Sequence, residues 1–332
     1  MSKKTNKKAV KIISIILAAV IVLTAGFTVI SHTVWHRSDM ATLAELYLRI
    51  SGSKDKYAIP KKNAEYIAKR ANAKEYTLNP SGLQSAVSEE SVNGNKMYKL
   101  TKSEKSDYII LYLHGGAYIN DALVYHWKLC DKLTQELNAE VIVPIYPLAP
   151  QSTYKETFDM LTRLYADILD DADVPITMMG DSAGGGLTVA FCEYLNEIGL
   201  RQPDNMILLS PWLDISMSNS AMAELEKSDP MLSADGLVEI GKLWAGELPL
   251  DDYRISPIFG DFSALKNITM FVGTREILYP DITQFYAMLQ REGIPSTLYI
   301  GEGLNHDYPL FPIPEAKTAF EQICDAVKEV DK

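Results

Sequence analysis

Cysteine is scarce in this chain, with three residues in 332. A disulfide framework or a zinc site built from cysteines needs more of them, at closer and more regular spacings. The three positions are Cys130, Cys192 and Cys324. Cys130 and Cys192 lie in apolar patterns typical of helices, where a free cysteine packs as a small hydrophobic residue. We therefore expect core residues rather than a redox or metal centre.

Basic residues are outnumbered by acidic ones beyond the first 40 positions. The whole chain carries a net charge of −11. The first 40 residues hold six basic side chains and one acidic, a net charge of +5, which leaves −16 on the rest. A nucleic-acid-binding protein needs a basic face to contact phosphates, and this acidic body offers none. The sequence also has no phosphate-binding loop and no metal-ligand cluster, so we expect no nucleic-acid partner, no cofactor and no metal.

Long apolar runs are limited to one, from Ile12 to Ile30. As a helix it would span about 28 Å, the thickness of a bilayer core. Five lysines precede it, and Arg37 is the one Lys or Arg in the ten residues that follow. This bias predicts a single-pass membrane anchor with residues 1–11 in the cytoplasm and the body outside, and with Trp35 at the outer interface. A cleaved signal peptide is the alternative, although Thr24-Ala25-Gly26 is a weak substitute for the usual cleavage site.

From residue 106 onward, short apolar runs alternate with longer amphipathic stretches. This alternation is typical of parallel strands joined by crossover helices, and it predicts a doubly wound α/β sheet with helices on both faces. The predicted strands are Tyr108–Leu113, Val141–Ile145, Ile176–Met179, Met206–Leu209, Met270–Val272 and Thr297–Ile300. The predicted helices are Tyr125–Leu137, Thr153–Leu169, Gly185–Ile198, Ile282–Arg291 and Pro314–Val330. In such a sheet, ligands bind beyond the carboxyl ends of the strands.

Two regions fall outside this alternation. Residues 36–92 contain helical patterns at Met40–Ile50 and Ala64–Ala73, and we interpret them as a cap or linker. Residues 213–262 lie between two predicted strands, where an insertion would cover the site as a helical lid. The α/β domain is therefore predicted to span residues 93–332, with this insertion inside it.

The strongest local motif is Gly180-Asp181-Ser182-Ala183-Gly184-Gly185, between a predicted strand and a predicted helix. A strand that turns abruptly into a helix holds the central serine in a strained conformation, and small neighbours let the backbones pass. Ser182 is therefore the candidate nucleophile.

A serine nucleophile needs a base and a third group that orients the base. In a strand–turn–helix fold of this kind the chain order is nucleophile, acid, base. His306 is the one histidine after Ser182. Glu276 and Asp281 both follow a predicted strand and qualify as the acid. Asp281 follows Pro280 at a predicted helix start and has a structural role available there, so we favour Glu276 and keep Asp281 as the alternative.

The developing oxyanion of an acyl transfer also needs hydrogen-bond donors. His114-Gly115-Gly116-Ala117 directly follows a predicted strand. Consecutive glycines let backbone N–H groups approach a ligand closely. The N–H groups of Gly115, Gly116 and Ala183 would together form an oxyanion hole.

With these motifs in one order, the sequence resembles the hormone-sensitive-lipase-like branch of the α/β-hydrolase superfamily, over residues 100–330. The motifs that carry the resemblance are Leu113-His114-Gly115-Gly116-Ala117-Tyr118, Tyr146-Pro147-Leu148-Ala149-Pro150, Gly180-Asp181-Ser182-Ala183-Gly184-Gly185, Ser210-Pro211-Trp212-Leu213-Asp214, Gly273–Asp281 and His306. The chain departs from the family at Ala117-Tyr118, where further glycines are common, and at Glu276, where Asp is usual.

The resemblance implies Ser182 as nucleophile, His306 as base and Glu276 as acid. Tyr118 and Trp212 lie in the shared motifs and are candidates for contacting a small-molecule substrate.

The activity implied by the resemblance is hydrolysis of carboxylic esters, with short to medium acyl chains, through an acyl-enzyme. The regions before residue 92 and near 213–262 would form the family's cap over the acyl pocket. An amidase or a carbohydrate deacetylase with the same triad is the alternative. A non-catalytic, membrane-tethered binding protein on the same scaffold is a further one.

Overall fold

An eight-stranded sheet forms the centre of the computed structural model, which describes residues 2–329. The strands are β1 (Ala86–Val92), β2 (Asn95–Thr101), β3 (Tyr108–Leu113), β4 (Ala139–Pro144), β5 (Ile176–Asp181), β6 (Asn205–Leu209), β7 (Ile268–Gly273) and β8 (Ser296–Gly301). They lie in the order β1-β2-β4-β3-β5-β6-β7-β8. The β1–β2 and β2–β4 pairs are antiparallel, and the other pairs are parallel. The predicted α/β fold with a mostly parallel sheet is confirmed.

Helices cover both faces of this sheet. The helices are α1 (Ser2–Thr33), α2 (Asp39–Ile50), α3 (Asp55–Ala58), α4 (Pro60–Ala71), α5 (Val124–Leu137), α6 (Tyr154–Asp171), α7 (Ser182–Glu197), α8 (Met222–Leu225), α9 (Ala234–Ala245), α10 (Tyr279–Glu292) and α11 (Pro314–Lys328). α5 and α11 contribute to the core on one face, and α6, α7 and α10 to the core on the other. Each predicted crossover helix is present; Val330, the predicted end of α11, lies outside the described residues.

The central strands place alternate residues in different cores, as the two-residue period of a strand requires. On β3, Leu111 and Leu113 belong to one core, and Ile110 and Tyr112 to the other. All four are fully buried. A strand covered on both faces needs a continuous apolar run, which is why the sequence predicts β3 at its observed bounds.

The three cysteines lie in these cores. Cys130 and Cys324 pack on one face of the sheet and Cys192 on the other. All three are buried and unpaired. They are the small core residues that the sequence predicts.

The hairpin of β1 and β2 has no counterpart among the predicted strands. β1 is one of the two edge strands, and most of its side chains are exposed. A polar edge strand lacks the apolar run by which the inner strands are recognised. β1 lies inside the range 36–92, so the sheet begins before the predicted boundary at residue 93. The division into domains otherwise stays a prediction.

The helices outside the alternation pack together over the carboxyl edge of the sheet. α9, in the insertion 213–262, packs against α3 and α4. An added Cβ at Gly236 would lie 2.2 Å from the carbonyl oxygen of Tyr57, so this packing requires a glycine. α2, α3 and α9 wall a cavity that reaches Ser182. The assignment of residues 213–262 as a cap, and its movement as a lid, stay predictions.

α1 is a single helix that contains the predicted apolar run. Within the described residues, its segment Ile16–Thr33 is the one helix long and apolar enough to cross a membrane. Nearly all of that segment is exposed rather than packed against the body. A core helix would be buried, so α1 is suited to a membrane anchor or a signal sequence.

Candidate active site

Ser182 lies where β5 turns into α7, at the carboxyl edge of the sheet. Its φ of 50° falls in the left-handed region, which is uncommon for residues other than glycine. An added Cβ on Gly184 would lie 2.0 Å from the carbonyl oxygen of Leu113, and one on Gly180 would lie 2.4 Å from that of Gly184. The two glycines therefore permit the sharp turn that presents the serine.

Ser182, His306 and Glu276 form a hydrogen-bonded chain. Nε2 of His306 lies 2.9 Å from Oγ of Ser182, and Nδ1 of His306 lies 2.5 Å from Oε2 of Glu276. The three residues come from segments after β5, β8 and β7, and all three are buried. This geometry lets a histidine take a serine proton while a carboxylate fixes its orientation.

Glu276 is held on its other side by two donors. Its Oε1 accepts hydrogen bonds from Oγ of Ser210 (2.8 Å) and from a backbone N–H at the end of β7 (2.7 Å). Asp281 lies instead in the first turn of α10 and accepts a hydrogen bond from the side-chain amide of Asn219 (2.9 Å). Of the two acids weighed from the sequence, Glu276 is the one in contact with the histidine.

Asp307 is a second carboxylate beside the histidine. Its Oδ2 lies 3.2 Å from Nε2 of His306, the nitrogen that also faces Ser182. Burial lowers the pKa of His306, but the charges of Asp307 and Glu276 outweigh burial and raise this pKa to about 10. No motif singles out Asp307 in the sequence, where its position next to His306 is the available signal.

Asp181 organises the glycine loop predicted to hold an oxyanion. Its Oδ1 accepts hydrogen bonds from the N–H of Gly115 (2.9 Å) and from the hydroxyl of Tyr112 (2.6 Å). Its Oδ2 lies 3.1 Å from Nε2 of His126. Because the N–H of Gly115 is engaged by this carboxylate, Gly115 is not a free donor, which corrects the sequence-based expectation.

Gly116 and Ala117, the next two residues of the loop, are better placed than Gly115 to donate to an oxyanion. Gly116 and Ala117 both line the cavity that contains Ser182, and both have positive φ values, 128° and 55°. Ala183 is the second residue of α7, where backbone N–H groups have no partner within the helix. Gly116, Ala117 and Ala183 are therefore the candidate donors to an oxyanion.

Comparison with known proteins identifies the family to which this arrangement of Ser182, His306 and Glu276 belongs. A model of the alpha/beta hydrolase fold matches residues 110–310, which contain all three members of the hydrogen-bonded chain. The chain belongs to the α/β-hydrolase family.

Individual relatives of this hydrolase indicate which branch of the family it belongs to. An esterase from Acinetobacter venetianus is 29% identical over 228 residues, which are 67% of this chain and 75% of that protein. The crystal structure of a candidate esterase from Staphylococcus aureus matches with a TM-score of 0.79 and 30% identity, over 83% of this chain and 95% of that one. The crystal structure of EstE7, a homologue of hormone-sensitive lipase from a metagenome library, matches with a TM-score of 0.75 and 25% identity, over 88% and 99%. The hydrolase is thus a carboxylic ester hydrolase of the hormone-sensitive-lipase-like branch.

Two aromatic residues of the hydrolase are candidates for substrate contact from the sequence. Trp212 lines the cavity. Tyr118 lies outside the lining and is buried between the rings of Trp244 and Trp212, at centroid distances of 4.3 and 5.7 Å. Trp212 can therefore contact a substrate. Tyr118 instead packs against Trp212 in the core, which corrects the expectation that Tyr118 contacts the substrate.

The cavity of the hydrolase has a volume of about 550 Å³, which is typical of small-molecule sites. Its walls are mostly apolar and come from α2, from the 213–262 insertion and from the segment after β8. Representative lining residues are Leu43, Tyr47, Leu232, Leu237, Phe311 and Ile313. Among residues 2–329, no group of three or more His, Cys, Asp or Glu side chains is arranged to hold a metal ion.

Proposed function

We propose that this hydrolase cleaves carboxylic esters through an acyl-enzyme on Ser182. The observation that supports this most directly is the buried chain of Ser182, His306 and Glu276 at an apolar cavity. Neutral His306 takes the proton of Ser182 as Oγ attacks the carbonyl carbon, and Glu276 stabilises the imidazolium that forms. The bond between the acyl carbon and the alcohol oxygen then breaks, and the alcohol leaves with the proton from His306.

Hydrolysis of the acyl-enzyme completes the turnover. A water molecule gives a proton to His306 as its oxygen attacks the acyl carbon. When the second tetrahedral intermediate collapses, the bond to Ser182 breaks and Oγ regains a proton from His306. The carboxylic acid is released, and both residues return to their starting protonation states.

The oxyanion of each intermediate is stabilised by the N–H groups of Gly116, Ala117 and Ala183. Ala117 replaces Gly115 in this assignment because the N–H of Gly115 donates to Asp181. Backbone donors fixed before the reaction need no reorganisation in the transition state, and one such donor contributes about 3 kcal/mol to the barrier reduction.

The preferred substrates are esters with short to medium acyl chains. The mostly apolar lining, which includes Trp212, supports this choice. A sugar in the same cavity would have hydroxyl groups buried without partners, which is unfavourable. Acetylated sugars and amides, which the same triad could cleave, therefore rank below simple esters.

We also propose that α1 anchors the hydrolase in a membrane, with residues 1–11 in the cytoplasm and the catalytic domain on the other side. The apolar length of α1 is exposed, and five lysines precede it. The alternative is a protein secreted after cleavage near Thr24-Ala25-Gly26.

Covalent labelling with a fluorophosphonate tests the assignment of Ser182. Wild-type protein and Ser103→Ala, a change in an exposed loop, should both be labelled. Ser182→Ala should not be labelled, while its thermal unfolding stays close to wild type. Full labelling of Ser182→Ala would overturn the assignment.

A substrate panel tests the activity. Nitrophenyl esters of increasing acyl length should be cleaved faster than amides and acetylated sugars. Turnover of amides or acetylated sugars without any ester turnover would contradict the proposal.

A further inference from the structure

α2 carries a stripe of exposed apolar side chains. The stripe consists of Met40, Leu43, Tyr47 and Ile50, spaced three and four residues apart along one face of the helix. Tyr47 is 71% exposed and Ile50 is 78% exposed. Single exposed apolar residues are ordinary, but a contiguous group marks a surface that binds something apolar.

The same helix forms one side of the mouth of the catalytic cavity. Met40, Leu43 and Tyr47 line the cavity and are also exposed at its opening. Leu123 and Tyr125, at the start of α5, likewise line the cavity and are exposed. Ile50 and Val124 are exposed beside them, outside the cavity lining. We call these seven residues the mouth rim; they come from α2 and from the start of α5.

The start of α2 lies alongside the last turns of α1. Oγ1 of Thr28 donates a hydrogen bond to Oδ2 of Asp39 (2.7 Å). α1 continues for five residues beyond Thr28, about 7.5 Å along its axis. The chain therefore turns back after α1 and brings the first residue of α2 level with the apolar part of α1.

The junction between the two helices is fastened to the body. The amide N–H and the hydroxyl of Ser38 donate to the two carboxylate oxygens of Glu315 (2.6 and 2.9 Å). The guanidinium of Arg37 is buried and donates to the carbonyl oxygen of Gly303 (2.8 Å). These contacts fix the direction in which the mouth rim faces relative to α1.

We propose that the mouth rim rests on the bilayer that holds α1, and that the hydrolase takes ester-containing lipids directly from that bilayer into its cavity. This proposal rests on the membrane anchor proposed above. The bilayer is favoured over a soluble partner because α2, which carries part of the rim, begins beside the proposed anchor. A helix with one apolar face in that position lies in the membrane interface. An acyl chain can then pass from the bilayer to Ser182 between apolar walls, without crossing water.

Site-specific labels test the position of the rim in the full-length chain. Single cysteine variants at Thr24, Ile50, Val124 and Ile198 carry a fluorophore in phosphatidylcholine vesicles; the native cysteines are buried and do not compete. Ile198 is the matched control, because it follows α7 at the end remote from Ser182. Labels at Thr24, Ile50 and Val124 should be quenched by brominated lipid, and the label at Ile198 by aqueous iodide.

The outcomes separate this proposal from the anchor. If Thr24 reports lipid while Ile50 and Val124 report water as Ile198 does, the anchor stands and the proposal is overturned. If Thr24 reports water, the anchor and this proposal both fail. Shielding of Ile50 and Val124 from both quenchers, lost on dilution of the protein in the vesicles, would indicate a second copy of the chain and also overturn the proposal.

Charged substitutions test the consequence for the substrate. The double variant Ile50→Glu with Val124→Glu should lower turnover of 4-methylumbelliferyl oleate in phosphatidylcholine vesicles by about tenfold or more. The reason is that charged side chains in the rim are unfavourable where the rim inserts into the bilayer. Turnover of water-soluble nitrophenyl acetate should be unchanged. The pair Ile198→Glu and Phe259→Glu, exposed apolar residues outside the rim, should affect neither substrate. Equal loss on both substrates, or loss on neither, with the rim pair would overturn the proposal.

Discussion

The guanidinium of Arg37 donates a hydrogen bond to the carbonyl oxygen of Gly303, 2.8 Å away and three residues before His306. Arg37 also pairs with Glu45, whose carboxylate accepts two hydrogen bonds from Arg275, both 2.9 Å. Arg275 directly precedes the proposed acid in the chain. One buried ionic cluster therefore joins the end of α1 to the loops that carry two members of the proposed triad.

The cluster should contribute strongly to stability through Glu45. Burial raises the pKa of Glu45, but the surrounding arginines Arg37, Arg275 and Arg49 outweigh it and lower the pKa, so the carboxylate is ionised. Glu45→Gln leaves the buried guanidinium of Arg37 without its anion, which costs about 3–5 kcal/mol. We expect a clear fall in Tm, measured by thermal unfolding of the full chain in detergent.

An exposed ion pair provides the control for this prediction. Glu239 accepts a hydrogen bond from Lys242 (2.7 Å), and both side chains are largely exposed. Glu239→Gln should change stability by about 0–1 kcal/mol. Equal changes in Tm for the two variants would show that the buried cluster contributes no more to stability than an exposed ion pair.

The choice between the two acids can be tested directly. Glu276→Gln removes the charge that stabilises the imidazolium of His306, and we expect kcat to fall roughly 10³- to 10⁴-fold. Asp281→Asn removes a buried carboxylate that does not contact His306, so kcat should stay close to that of the wild type. Steady-state kinetics on nitrophenyl acetate measure both. A larger loss for Asp281→Asn would reverse the assignment.

Asp307 should set the pH dependence of the reaction. The pKa of His306 is raised from 6.5 to about 10 by Asp307 and Glu276, against the effect of burial. The neutral histidine that acts as base is lost as the pH falls through this value, so kcat/KM should rise with pH into the alkaline range. Asp307→Asn removes one of the charges, lowers the pKa of His306 and moves the acidic limb of the profile to lower pH.

The pH profile has a matched control in Asp281→Asn. This variant also replaces a buried carboxylate by an amide, but Asp281 is not among the groups that shift the pKa of His306. Its acidic limb should coincide with that of the wild type. An unchanged limb in Asp307→Asn would show that Asp307 does not act on the base.

The parts of the structure that could be predicted from the sequence each require a particular residue pattern within a short segment. Parallel strands such as β3 are buried on both faces and read as continuous apolar runs. The turn at Ser182 requires small residues at fixed positions, so it too leaves a local pattern in the sequence. The hairpin of β1 and β2 has mostly polar, exposed side chains on its edge strand and carries no such pattern.

Long-range polar contacts account for most of what the sequence could not predict. Arg37 and Gly303 are 266 residues apart, and no local pattern pairs them. The glycine loop shows a similar limit, because its motif predicts backbone donors but not that Asp181 engages the N–H of Gly115. A single residue type at one position does not encode which distant partner it will meet in the folded state.

The anchor makes a prediction about the mature protein. If α1 spans the membrane uncleaved, the hydrolase should stay in the membrane fraction after alkaline carbonate treatment, and its intact mass should include residues 1–26. A charged residue at the centre of a spanning helix costs about 2.5–3.5 kcal/mol, so changing both Leu17 and Val20 to lysine should release the protein from that fraction. Leu17→Ile with Val20→Leu is the matched control and should be retained, because the helix stays apolar. A mature chain that begins after Gly26 and is recovered in the medium would exclude the anchor and identify the segment as a signal peptide.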